Sequence, residues 1–314
     1  MNLHHNFEDF EEIIQLTSSW INIPLIAIKR DYFIVIILKN LAGSAHAEDV
    51  VFKGGTSLSK CYKGSIDRFS EDIDLTYIPK DNESDKQVGK LLKEIERILI
   101  GDAKFEIIGE ERNNRNKSCY VWFHDESKED EKIKLEIGSS VKPHPFSKRV
   151  LRSYVHEYLI EQNMDDIIDK YNLEEVELNV LNIERTFIDK IMAIKRHAFC
   201  MTLSNKSRHI YDIVRLYQLE EIKEFIKNKF QLKEIIKETK NTDSFYLKKR
   251  NISKDYNPME PYDFDTWENK LDNNIRKSYE SLHKNILYSK EKQDFDHARD
   301  VLSEISQIFS SIGE

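Results

Sequence analysis

Asp72 and Asp74 stand two apart in the run Arg68-Phe69-Ser70-Glu71-Asp72-Ile73-Asp74-Leu75, shortly after a Gly54-Gly55-Thr56-Ser57 turn. Side chains alternate faces along a β-strand, so an i, i+2 pair projects to one side. Two carboxylates about 7 Å apart on one face can converge on one or two divalent cations. A glycine turn beside them offers backbone N–H groups to phosphate oxygens. These are the parts that metal-assisted phosphoryl or nucleotidyl transfer requires. An isolated DxD is commonly a solvated turn, but here Ile73, Leu75 and Tyr77 give the strand an apolar face opposite the acids.

Three further pieces could join them. In Lys132-Ile133-Lys134-Leu135-Glu136-Ile137-Gly138, the apolar residues face one way while Lys134 and Glu136 face the other. Glu136 is then either a third metal ligand or a partner of Lys134. Gly54 and Gly55 permit positive φ and close backbone approach. A helix starting at Ser57 would aim its N–H groups at an anion. The run is not a Walker A loop, and a plain strand-to-helix turn is the alternative reading. Last, IERTFIDKIMAIKRHA places Lys190 on a core-facing helix, and RHIYDIVRL places Asp212 on a second one. Taken alone, both read as surface charges on amphipathic helices.

The elements that must hold these residues follow from periodicity. Residues 6–20 repeat apolar positions near a 3.6 period, and a second helix runs from Pro24 to the Ala42-Gly43 stop. A short strand at 50–52 leads into the glycine turn, a helical segment covers 57–62, and a strand covers 73–78. Residues 82–100 form a strongly amphipathic helix. Strands are predicted at 104–109, 118–124 and 132–138. After Pro143 and Pro145 the pattern is helical almost to the end, apart from a short extended piece at 175–182. A domain boundary falls around 143–160, and a lysine-rich polar stretch lies near 237–251.

Composition limits the function classes. At 314 residues, two domains are the natural expectation. A hydrophobic fraction of 39% with 11% aromatics suits a soluble globular protein. No apolar run approaches the roughly 20 residues needed to span a bilayer. The acidic N-terminal run MNLHHNFEDFEE lacks a signal-peptide pattern, and the cysteine usage makes a reducing cytoplasm the expected setting. Cys61, Cys119 and Cys200 are scattered and form no CxxC, which disfavours structural zinc and a disulfide framework. A net charge of −8 argues against bulk coating of nucleic acid, though not against a local basic surface.

Taken together, FKGGTSLSK, RFSEDIDL, IKLEIG, ERTFIDKIMAIKRH and RHIYDIVRL make the chain resemble the AbiEii/AbiGii toxin-like nucleotidyltransferases, which include the MenT toxins. Order and spacing match over residues 25–220; the last hundred residues match as a generic helical tail. The resemblance implies an α+β fold. Its polymerase β-type nucleotidyltransferase core, a mixed sheet flanked by helices, would occupy residues 1–150 with the N-terminal helices. A helical C-terminal domain, 151–314, would contribute Lys190 and Asp212 to the cleft. By position, Ser70 and Asp72 fall on the family's SxD, Asp74 completes the acidic pair, and Glu136 supplies the third carboxylate. Lys190 falls on the helical lysine and Asp212 on the late aspartate. The chain has Asp189-Lys190 where the family usually has Glu-Lys.

The activity so implied is Mg²⁺-dependent (or Mn²⁺-dependent) transfer of a nucleotide from an NTP, with the tRNA 3′ end as an acceptor and a cognate antitoxin as partner. Asp72, Asp74 and Glu136 would bind metal, and Gly54, Gly55, Thr56, Ser57, Ser70 and Lys190 the nucleotide. Asp212 would orient Lys190 or the nucleotide. Arg112, Arg115, Lys117, Lys195, Arg196, Lys206, Arg208 and His209 are candidates for acceptor phosphates. A monomer is expected. The rival readings are a nucleotidyltransferase acting on a small molecule or a protein, and a nucleotide-binding interaction protein without transfer activity.

Overall fold

The computed structural model describes residues 1–247, 256–285 and 294–313. They pack as two compact units. The first comprises Met1–Cys61, Ser70–Ser139 and Phe146–Val180; the second comprises Tyr62–Phe69, Ser140–Pro145 and Leu181–Glu314.

A seven-stranded sheet of order β3-β4-β5-β2-β1-β7-β6 organises the first unit. The strands are β1 (Val50–Lys53), β2 (Asp72–Tyr77), β3 (Lys104–Ile107), β4 (Asn116–Trp122), β5 (Ile133–Gly138), β6 (Phe146–Leu151) and β7 (Val176–Leu181). It is mixed: β1 runs antiparallel to β2 and parallel to β7, β2 runs parallel to β5, and β4 is antiparallel to both β3 and β5. Parallel pairs need crossovers, and the helices supply them. This is the expected α+β architecture, a mixed sheet flanked by helices. The helices are α1 (Phe7–Ile21), α2 (Leu25–Ala42), α3 (Gly54–Cys61), α4 (Asp85–Ile100), α5 (Lys128–Glu131), α6 (Tyr154–Glu161) and α7 (Asp165–Tyr171).

Local sequence explains most of the boundaries. Helix α4 starts later than residue 82 because Ser84 and Gln87 form a reciprocal capping box. Helix α2 is buried without a break from Asp31 to Leu38, as an apolar helix inside a core must be. Its one buried acid is matched: Asp31 takes Lys60 Nζ at 2.5 Å and the Tyr154 N–H at 2.7 Å. Helix α3 begins at Gly54 itself, three residues before the expected start. Strand β6 corrects the expectation of helix after Pro145. It lies at the end of the sheet and only Leu151 of its residues is buried, so Phe-Ser-Lys-Arg-Val-Leu carries little apolar alternation to betray it.

Helices make up most of the second unit: α8 (Ile183–Phe199), α9 (Ser207–Tyr217), α10 (Glu220–Lys227), α11 (Lys229–Leu247), α12 (Asn273–Asn285) and α13 (Phe295–Ser311). Trp267, Tyr262, Tyr279 and Tyr211 are among its fully buried side chains. The lysine-rich stretch is helical as far as Leu247, and its remainder, 248–251, lies outside the described residues. Among the described residues, no helix is long and apolar enough to cross a membrane.

Candidate active site

The acidic pair is held by the turn from β1 into α3. Gly54 sits at φ +86°, and a Cβ there would lie 2.3 Å from Asp74 Oδ2. Glycine is therefore required twice: for the left-handed backbone and for the space that the Asp74 carboxylate occupies. Thr56 is buried; its hydroxyl donates to the Asp72 carbonyl and shares a 2.9 Å hydrogen bond with Ser70 Oγ. Ser57 is also buried, and its hydroxyl donates to the Gly54 carbonyl at 3.0 Å. These two hydroxyls fix the loop and the start of β2. What the turn can offer a phosphate is the backbone N–H groups of α3's first turn, which an α-helix leaves without intrahelical partners.

Strand register sets the carboxylates in order. Asp74 pairs with Lys53 of β1 on one side and Glu136 of β5 on the other, while Asp72 pairs with Lys134. Residues opposite one another in register share a face, so Asp72, Asp74 and Glu136 project to the same side. Burial along β5 alternates strictly, with Ile133, Leu135 and Ile137 inside and Lys134 and Glu136 half-buried. Asp72 is exposed and Asp74 half-buried.

Lys134 lies among these acids. Its Nζ is 2.7 Å from Glu111 and 3.7 Å from Glu136 Oε2. Burial alone would push this ammonium down. The hydrogen bond it donates to Glu111 and the charges of Glu136, Glu111 and Asp72 carry it above its ordinary value. Glu136 thus stands beside Asp74 and also leans toward Lys134. Three partly exposed carboxylates are hard oxygen donors, the chemistry that Mg²⁺ or Mn²⁺ takes, and the missing Cβ of Gly54 keeps room at Asp74. In this arrangement the three sets of oxygens are not drawn within 4.8 Å of one another.

The second unit gathers a different set. Asp212 on α9 is fully buried and accepts two hydrogen bonds from Arg68, Nε at 2.6 Å and Nη2 at 2.8 Å. Lys190 Nζ on α8 lies 2.8 Å from the same carboxylate. Burial would raise the Asp212 carboxyl, but the charges of Arg68 and Lys190 outweigh it and hold the group below its ordinary range. Two cations thus share one buried carboxylate. Arg215 of α9 also meets Asp67 at 2.7 Å, so the segment before Ser70 is pinned twice to that helix. Sequence reasoning gave Arg68 no role, although it stands in the same run as Asp72 and Asp74. The only available signal was its proximity to them. Asp189, the departure from Glu-Lys, pairs with Arg185 one turn earlier at 2.7 Å.

Most of the basic residues considered for acceptor contacts are engaged inside the protein. Lys117 and Lys195 are buried, each donating to main-chain carbonyls. Burial, then Lys240, pushes the Lys195 ammonium down to about 8. Arg112 forks onto Glu96, Arg115 meets Asp85, and Arg196 meets Asp243 at 2.6 Å. Burial, with Lys190 and Lys206 nearby, holds the His209 imidazole well below its ordinary range. Of this set only Arg208 is exposed.

The fold is similar to that in the crystal structure of JHP933 from Helicobacter pylori, at 18% identity over 91% of this chain and 93% of that one, with a TM-score of 0.43. It is also similar to MenT4, a nucleotidyltransferase toxin from Mycobacterium tuberculosis H37Rv, at 15% identity over 95% and 98% of the two chains, with a TM-score of 0.48. Likeness at this level adds nothing to an assignment of activity. No curated protein matches the chain. Residues 36–301 do match the family described as nucleotidyl transferase AbiEii toxin, type IV toxin–antitoxin system; the chain belongs to that family and is a nucleotidyltransferase.

Proposed function

We propose that this toxin-family enzyme transfers a nucleotide from an NTP to the 3′ end of tRNA in a Mg²⁺-dependent reaction. The observation that carries the metal-site reading is the row of Asp72, Asp74 and Glu136 on one sheet face, with Gly54 giving way to the Asp74 carboxylate. Asp72 and Asp74 would hold Mg²⁺, or Mn²⁺, with Glu136 as a further ligand. A cation bound there would neutralise charge on the triphosphate and polarise its α-phosphoryl group.

The chain's own groups supply the rest. The first-turn N–H groups of α3, from Gly54 to Ser57, would bind phosphate oxygens. Ser70, tied to Thr56, would stand ready to contact phosphate. Lys190 would neutralise triphosphate charge, and Asp212 would hold its ammonium in place with Arg68 sharing the carboxylate. Glu136, if not ligating, would accept the proton of the attacking hydroxyl. The enzyme would work as a monomer in the cytoplasm, restrained by an antitoxin.

The tRNA acceptor rests on family resemblance, because the basic residues expected to bind RNA are largely engaged internally. That same finding favours keeping a small molecule or a protein as the alternative acceptor. Incubation of the enzyme with each α-³²P NTP, Mg²⁺ and total tRNA, followed by separation of RNA, protein and small molecules, tests the choice. Label on tRNA is expected. Label confined to protein or to a small molecule would retain the enzyme and replace the acceptor.

A further inference from the structure

We propose a second metal site, for a transition-metal dication of the Zn²⁺ class, formed by His4, His5 and Asp102 in the first unit. His4 and His5 lie on the turn Leu3–His5 ahead of α1, and Asp102 lies in the turn between α4 and β3. One ligand atom from each falls within 4.8 Å of the others, and no other trio of His, Cys, Asp or Glu does so among the described residues. His5 Nε2 is 2.8 Å from Asp102 Oδ2, and His4 Nε2 is 3.7 Å from the same oxygen. Ligands about 2 Å from a tetrahedral ion stand about 3.3 Å apart. The two spacings bracket that value.

A hydrogen bond between His5 and Asp102 would by itself be an ordinary surface pair. It leaves His4 unexplained. That ring is buried, 7% exposed, and its Nε2 has no hydrogen-bond partner. Buried polar atoms are nearly always paired, so this nitrogen, aimed at Asp102, calls for a ligand. The other ring nitrogen meets the Tyr32 hydroxyl at 2.8 Å, and the His4 main-chain N–H donates to that same hydroxyl at 3.2 Å. Ligation through Nε2 takes the tautomer in which Nδ1–H donates to this hydroxyl, and that bond holds the ring in place.

Two imidazoles and one carboxylate suit Zn²⁺ with water in a fourth position. Mg²⁺ would prefer an all-oxygen set, so this site differs in kind from Asp72 and Asp74. The expectation against structural zinc was drawn from the cysteines and does not reach these histidines. A bound ion would clip the N-terminal turn to the α4–β3 turn.

The test uses untagged full-length protein, stripped with chelator, beside His5→Ala and Asp102→Ala. Both residues are about half exposed, and circular dichroism checks that the variants fold. Calorimetric titration with Zn²⁺ is expected to show one more equivalent bound by wild type than by either variant, or that equivalent weakened by more than about tenfold in them. Co²⁺ should give the visible absorption of a four-coordinate ion in wild type only. Zn²⁺ held at Asp72 and Asp74 would survive both substitutions, so the difference isolates the new site. Equal stoichiometry, equal affinity and equal Co²⁺ spectra in the three proteins would overturn the proposal.

Discussion

At the scale of single residues, Gly54 and Asp212 give the sharpest predictions. A methyl group at 54 would meet the Asp74 carboxylate at 2.3 Å in a backbone that alanine disfavours. Gly54→Ala should cost about 1–2 kcal/mol in chemical denaturation. It should cost more in transfer, on the order of a hundredfold in kcat, because Asp74 must move. Asp212→Asn strips the charge partner from buried Arg68 and Lys190, and a destabilisation of about 3–5 kcal/mol is expected. The pH dependence has a definite sign. The folded Asp212 carboxyl lies below its ordinary value of 3.8, so its stabilisation is complete above that value and is lost as pH falls through the lower, folded one. Urea midpoints of wild type and Asp212→Asn should therefore differ most near neutral pH and converge in strong acid. A constant gap across that range would show that the carboxylate is not the source.

At the scale of elements, the link from α3 to β2 decides how firmly the acids are held. The Thr56 hydroxyl reaches both the Asp72 carbonyl and Ser70, so Thr56→Val should cost about 1 kcal/mol by removing these part-buried hydrogen bonds. Its kinetic signature should be a fall in kcat together with a rise in KM for NTP, because the residue holds both the strand carrying the acids and Ser70. An unchanged kcat would detach Thr56 from the site. This element was partly legible. Glycine followed by Thr-Ser announced a strand-to-helix turn, and the i, i+2 acids announced a strand. That Thr56 and Ser57 face the protein was hidden, because a hydroxyl's direction depends on partners in β2 that are distant in sequence. Helix α4 was readable from its apolar stripe, but its start was not, because the Ser84–Gln87 capping box sets it at Asp85. Strand β6 was not, because an edge strand with a single buried side chain carries no period-two signal.

At the scale of the whole molecule, sequence and structure agree on an α+β protein built on a mixed sheet with a helical second part, and on membership of the AbiEii toxin family. Arg68 shows where sequence ends. Its run passes from the second unit, where it grips Asp212, straight to Ser70 and Asp72 in the first, and no pattern predicts which buried carboxylate an arginine will find. The free cysteines fit a minor role: burial pushes the Cys61 and Cys119 thiols up to about 12, so neither is a ready thiolate. The central claim is that the carboxylates on one sheet face carry metal-dependent nucleotide transfer. The most direct measurement is the Mg²⁺ dependence of label transfer from α-³²P NTP by wild type, Asp72→Ala and Asp74→Ala, each first shown to unfold at the wild-type midpoint. Transfer that saturates with Mg²⁺ in wild type and vanishes in both folded variants is the predicted result. Transfer that persists in either variant would contradict it.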